Sequence, residues 1–141
     1  MTQKIFSIPL NPKLNEQQYI EFVNFVNDYK DYIKDVYFTT RIAPFNQDAM
    51  GDVFVHEDSN DVAIEQALFV QTHTGVPVSA TFNNIQVPPT QKNLDTFIKN
   101  FKPVYDAGVR VATIPHTHWM ATGQIQKAFP ELYIKNTILR D

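Results

Sequence analysis

Asp106-Ala107-Gly108-Val109-Arg110-Val111-Ala112-Thr113-Ile114-Pro115-His116-Thr117-His118-Trp119 is the stretch that decides the fold. Gly108 stops a helix, because glycine takes the left-handed backbone of a helix end without steric penalty. Val109 to Ile114 then reads as a short buried strand, with a β-branched and apolar composition. A helix followed at once by a strand is the repeating unit of parallel α/β proteins. The strand runs into Pro115, His116, Thr117 and His118, a polar cluster at its carboxyl end. In such folds ligands sit in the crevice outside the carboxyl ends of the strands. The same stretch therefore marks where a site is expected.

Reading outward from it, the same unit recurs. Lys4 to Leu10 is a first strand closed by Asn11 and Pro12. Asn15 caps the next helix, with Gln18 placed to complete a capping box. Tyr19, Phe22, Val23, Val26, Tyr29 and Ile33 recur at three- and four-residue steps and predict one long apolar helix face. Val36 to Thr40 is the second strand, ending at Arg41. Residues 42–58 have no clean period and predict a loop over the carboxyl rim. Asn60 caps a helix that Gly75 stops, and Val76 to Phe82 is the third strand, ending in Asn83 and Asn84. Thr90 caps a helix with Leu94, Phe97, Ile98 and Phe101 on its buried face, and Pro103 is expected to kink or restart it. Beyond the central stretch, Trp119 to Phe129 predicts a short helix and Leu132 to Leu139 a fifth strand.

Alternation of strands and helices specifies right-handed crossovers and a parallel sheet. The 141 residues form one α/β domain. A complete TIM barrel takes eight such units and about 250 residues. The expected architecture is thus about five βα units in barrel order, a half barrel or fragment of a longer protein. The alternative is a self-contained doubly wound, flavodoxin-like sheet. An open half barrel would be completed by self-association or by a partner subunit, since bare sheet edges must be covered.

Composition narrows the function. Apolar residues make up 43% and aromatics 13%, as in a globular protein. The net charge of −3 comes without a basic stripe, so no dedicated nucleic-acid-binding surface is expected. The absence of cysteine excludes disulfides, thiolate catalysis and cysteine-held iron–sulfur clusters in this chain. Gly51, Gly75, Gly108 and Gly123 are scattered, so no phosphate-binding glycine loop is present and no cofactor is expected. No signal-peptide or membrane-spanning run stands out, which makes a cytoplasmic protein without membrane contact the expectation.

Three segments together resemble the N-terminal part of the collagenase-like (U-type) peptidase family. Lys34-Asp35-Val36-Tyr37-Phe38 looks like the family's second strand. Thr74-Gly75-Val76-Pro77-Val78-Ser79-Ala80-Thr81-Phe82-Asn83-Asn84 is similar to its third. Ala107-Gly108-Val109 through Phe129-Pro130-Glu131-Leu132-Tyr133-Ile134-Lys135 looks like its next strand, helix, Phe-Pro turn and strand. The resemblance covers most of the chain from about residue 34. It implies a TIM-barrel-like domain and a hydrolase, peptidase-like activity if any. The family's glutamate-and-cysteine signature lies downstream of the matched region.

The candidate catalytic residues are His116, His118, Asn83 and Arg41, all at carboxyl strand ends. Histidine is the natural proton-transfer group near neutral pH. Asn83 can orient a ligand through paired amide hydrogen bonds. Arg41, like Arg140, can clamp a carboxylate or phosphate. If the Val109–Ile114 strand continued to His118, both histidines would point to one face as metal ligands, with Asp48, Asp52 or His56 completing the set. The bland alternative is a helix start, one histidine capping and one packing on Trp119. Both histidines are expected to contribute little to the core. The functional reading is a small-molecule or peptide site at the strand ends. The alternatives are a non-catalytic interaction protein that has lost the catalytic half, and a metal-dependent hydrolase using His116 and His118.

Overall fold

The computed structural model describes residues 4–11, 13–40, 42–45, 60–82 and 87–136. They form β1 (Phe6–Pro9), α1 (Glu16–Asp28), β2 (Ile33–Thr39), α2 (Asn60–Thr74), β3 (Val78–Thr81), α3 (Gln91–Ala107), β4 (Val111–Ile114), α4 (Thr117–Ala121), α5 (Gln124–Ala128) and β5 (Tyr133–Asn136). All five strands are parallel and lie in the order β1-β2-β3-β4-β5. The α/β fold expected from the alternation is the one that forms. β1 lies at one edge and β5 at the other, the order of successive barrel units.

Right-handed crossovers that always step in one direction place every helix on the same side of the sheet. The register agrees. Val36, Val78, Phe38, Ala80 and Ala112 fall on one face. They are buried in one hydrophobic cluster with Val23 and Val26 of α1, Ala67 and Val70 of α2, Leu94 and Phe97 of α3, Trp119 of α4 and Ile125 of α5.

The opposite face is polar. One row across it reads Tyr37, Ser79, Val111, Tyr133, and the next reads Thr39, Thr81, Thr113, Lys135. Below them Ser7 pairs with Asp35. The Nζ of Lys135 donates to Oδ2 of Asp35 at 2.5 Å. These residues stand three strand spacings apart, about 14 Å on a flat sheet. Side chains rise roughly perpendicular to a sheet and could not meet over that span. The sheet is therefore curled, and its polar face is concave.

Local signals explain most boundaries. Asn15 and Gln18 form the predicted capping box at α1. Thr90 caps α3 by accepting from the Asn93 amide. Gly75 and Gly108 close α2 and α3 with φ of 83° and 127°. Gln71 ties the layers together, donating to the Gly108 carbonyl and accepting from the Val78 amide.

Four expectations change. α1 ends at Asp28, leaving Tyr29 half exposed and Ile33 in β2. The β-branched Ile33 pairs with Phe6, and the register slips by one residue before Ser7 pairs with Asp35. α3 runs through Pro103 without restarting. Its buried face of Leu94, Phe97, Phe101 and Val104 outweighs one lost backbone bond. The predicted helix from Trp119 to Phe129 is two helices, divided at Gly123, whose φ of 76° no continuous helix accepts. β1, β3 and β4 are also shorter than predicted, β2 is longer because it starts at Ile33, and residues 137–139 lie outside the described residues.

Candidate functional site

The site begins where β4 ends. Ile114 is buried, Pro115 turns the chain, and His116 takes the N-cap position of α4. Its side chain makes no capping hydrogen bond. The ring turns inward instead, with only 8% exposure. It packs edge-on against Trp119, ring centroids 4.7 Å apart, and against Phe45 at 5.8 Å. Phe45 in turn touches Phe82, Phe97 and Trp119. An aromatic cluster thus lies beneath the carboxyl end of β4 and fixes the orientation of His116.

The expectation that His116 contributes little to the core is corrected by this burial. His118, one position into α4, is exposed, and its Nε2 lies 3.1 Å from the Pro89 carbonyl oxygen. It ties the start of α4 to the segment before α3. The two histidines do not share a strand face, because β4 stops at Ile114 and a helix starts at Thr117.

The electrostatics single out His116. Burial pushes its imidazole below the ordinary value of 6.5, and the neighbouring His118 adds to this, while a backbone hydrogen bond at Val87 opposes it. A backbone bond that favours the charged ring is one in which the ring donates. Nε2 is buried and has no partner among the described residues, so Nδ1 is the donating nitrogen. In the neutral ring Nε2 is then a bare acceptor. Trp119 Nε1 is also buried without a partner among the described residues.

The remaining predicted residues separate cleanly. Arg41, Asn83, Asn84, Asp48, Asp52, His56 and Arg140 lie outside the described residues. Among the described residues no group of three or more metal-ligating side chains gathers, and no helix is long and apolar enough to cross a membrane. The aromatic support from Phe45 was missed because it comes from an aperiodic stretch. Trp119, the single tryptophan, directly follows the two histidines and was the available signal.

A pH dependence follows. A histidine whose folded value is lowered binds protons more weakly than in the unfolded chain. Its contribution is complete above the ordinary 6.5 and is lost as pH falls from there towards the folded value. Urea midpoints measured over that range should fall with acidification. The decline should flatten in His116→Phe, which keeps a ring in the cluster, and persist in His118→Ala. An unchanged slope in His116→Phe would assign the acid sensitivity elsewhere.

No protein-family model matches the sequence, and no curated protein or solved structure matches it.

Proposed function

We propose that the protein is a binding domain of the kind that forms the N-terminal half of collagenase-like peptidases, with its site at the carboxyl ends of the strands. His116 is the group that accepts a hydrogen bond from the ligand. The observation that carries this reading is the buried Nε2 after β4, without a partner among the described residues. An unsatisfied buried polar group costs about 1–3 kcal/mol. A small molecule or peptide offering an N–H or O–H recovers that energy. The sequential parallel order of β2, β3 and β4 supports the resemblance, since barrel units follow one another in this way.

Amide and imidazole NMR with a panel of short unmodified peptides tests this. Shifts centred on His116, Trp119 and Thr117, lost in His116→Phe, are expected. No shift at the β4–α4 junction with any peptide would remove the reading. Peptide hydrolysis abolished by His116→Phe would make the protein a hydrolase instead.

A second reading, an interaction protein, is favoured by a different surface. Ile5, Phe6, Phe25, Tyr29 and Tyr32 are each 48–55% exposed. A groove of about 300 Å³ beside β1 is lined by Phe6, Ile8, Phe25, Tyr29, Tyr32 and Ile33, with no polar wall. Among the described residues β1 pairs only with β2, so its outer backbone edge is free. Free edges without charge are the usual route to association. Because an apolar patch is complementary to itself, a second copy is the occupant this reading assigns. Sedimentation should show concentration-dependent dimers that Phe6→Lys converts to monomers. A monomer at all concentrations would exclude it.

A further inference from the structure

The concave face of the sheet is the least expected surface of the molecule. In a closed barrel this face is the interior, filled by layers of Val, Ile and Leu. Here the two central rows hold Tyr37, Ser79, Val111 and Tyr133, then Thr39, Thr81, Thr113 and Lys135. Val111 is the single aliphatic residue among them. Covering this face with the other half of a barrel would bury hydroxyls and phenols rather than an apolar core, an unfavourable exchange without matched partners.

The face is also preorganised. Asp35 is 3% exposed, and Lys135 crosses β3 and β4 to reach it. Only Oδ2 is engaged; Oδ1 is buried with no partner among the described residues. A carboxylate accepts at both oxygens, so one acceptor at this face is left unsatisfied among the described residues. The hydroxyls of Ser79, which is buried, and of Thr113 lie 3.4 Å apart on the adjacent strands β3 and β4. Tyr37 on β2 and Tyr133 on β5, in the row that Pro9 of β1 completes, are 37% and 66% exposed and present aromatic walls.

These features specify a ligand chemistry. The carboxylate and ammonium neutralise one another, so the face attracts no net charge. Hydroxyl side chains, each donor and acceptor, match vicinal hydroxyls that are also both. Exposed phenol rings flanking them suit the C–H face of a small ring. We propose that the concave face, between Tyr37 and Tyr133 and over the Asp35–Lys135 pair, binds a neutral polyhydroxylated small molecule of the sugar or polyol class. Asp35 Oδ1 accepts from one ligand hydroxyl, the threonine hydroxyls exchange hydrogen bonds with others, and the tyrosines hold the ring. This site lies on the opposite side of the sheet from His116 and does not rest on the peptide-binding reading.

Amide NMR on the full chain with glucose, myo-inositol, methylammonium chloride and sodium acetate decides it. Saturable shifts at Tyr37, Thr81, Thr113 and Lys135 are expected with glucose or myo-inositol, without shifts at His116. Tyr133→Ala, an exposed position with little bearing on folding, should weaken that binding about tenfold, equivalent to about 1.4 kcal/mol. Asp35→Asn tests the acceptor directly, and its folding is checked by the same spectra. No saturable shift on this face with either neutral probe overturns the proposal. Shifts with acetate or methylammonium alone also overturn it, because they would mark a charge site. Glucose or inositol affinity unchanged in Tyr133→Ala would refute the arrangement proposed.

Discussion

Lys135→Met should destabilise the protein by about 3 kcal/mol, because it strips the partner from a carboxylate that the fold keeps out of water. Asp35 is 3% exposed and its second oxygen has no partner among the described residues, so the lost charge is not replaced. The Lys135 side chain is 26% exposed, which places the effect at the lower end of the range for broken buried pairs. Denaturant unfolding measures it. The double variant Asp35→Leu with Lys135→Met should recover most of the loss, since replacing both members of a buried pair by apolar groups is often neutral. If the double variant is as unstable as the single one, the pair is not the source of the effect. If Lys135→Met is within about 0.5 kcal/mol of the parent, the bridge behaves as a surface pair.

Phe97→Ala should cost about 3–5 kcal/mol, the range for a fully buried aromatic truncated in a core. Phe97 is completely buried on α3. Its ring meets Phe45, Phe82, Phe101 and Trp119, at centroid distances from 5.3 to 6.1 Å. These neighbours come from four different segments, so collapse into the vacated space would need several of them to move together. Phe97→Leu, which keeps most of the volume, should cost less than about 1.5 kcal/mol. Removing Phe97 also loosens the cluster beneath His116, so the imidazole of Phe97→Ala should titrate closer to its ordinary value. A loss below about 1 kcal/mol would mean that the cluster is not the packed centre of this layer.

What could be read from the sequence was local. The Asn15 box, the Thr90 cap and the Gly108 stop each depend on residues within one turn, and each stands where the sequence places it. The parallel alternation followed from element order alone. The facing of the second strand was harder, because the register slip between Phe6 and Ser7 changes which side chains share a face. Without that slip Ile33 and Asp35 would point the same way by simple alternation. The curl was invisible because it rests on a contact between residues 100 positions apart. At the site, the position of His116 after a strand was legible, whereas its inward turn was not. That turn is set by Phe45 and Trp119, and nothing in residues 42–45 announces a core aromatic.

The Asp35–Lys135 bridge has a consequence for the order of events in folding. Every strand pairing in the sheet joins consecutive units, so each can form as soon as its own crossover closes. Among the described residues the bridge alone joins non-adjacent strands, and it needs β2, β3, β4 and β5 aligned and bent before its partners meet. It is expected to close after the rate-limiting barrier, where contacts have little influence on how fast the chain folds. Its removal should leave the refolding limb of a chevron in place and steepen the escape from the native state. The curved sheet would then be a kinetic latch, setting the lifetime of the folded molecule rather than the speed of reaching it.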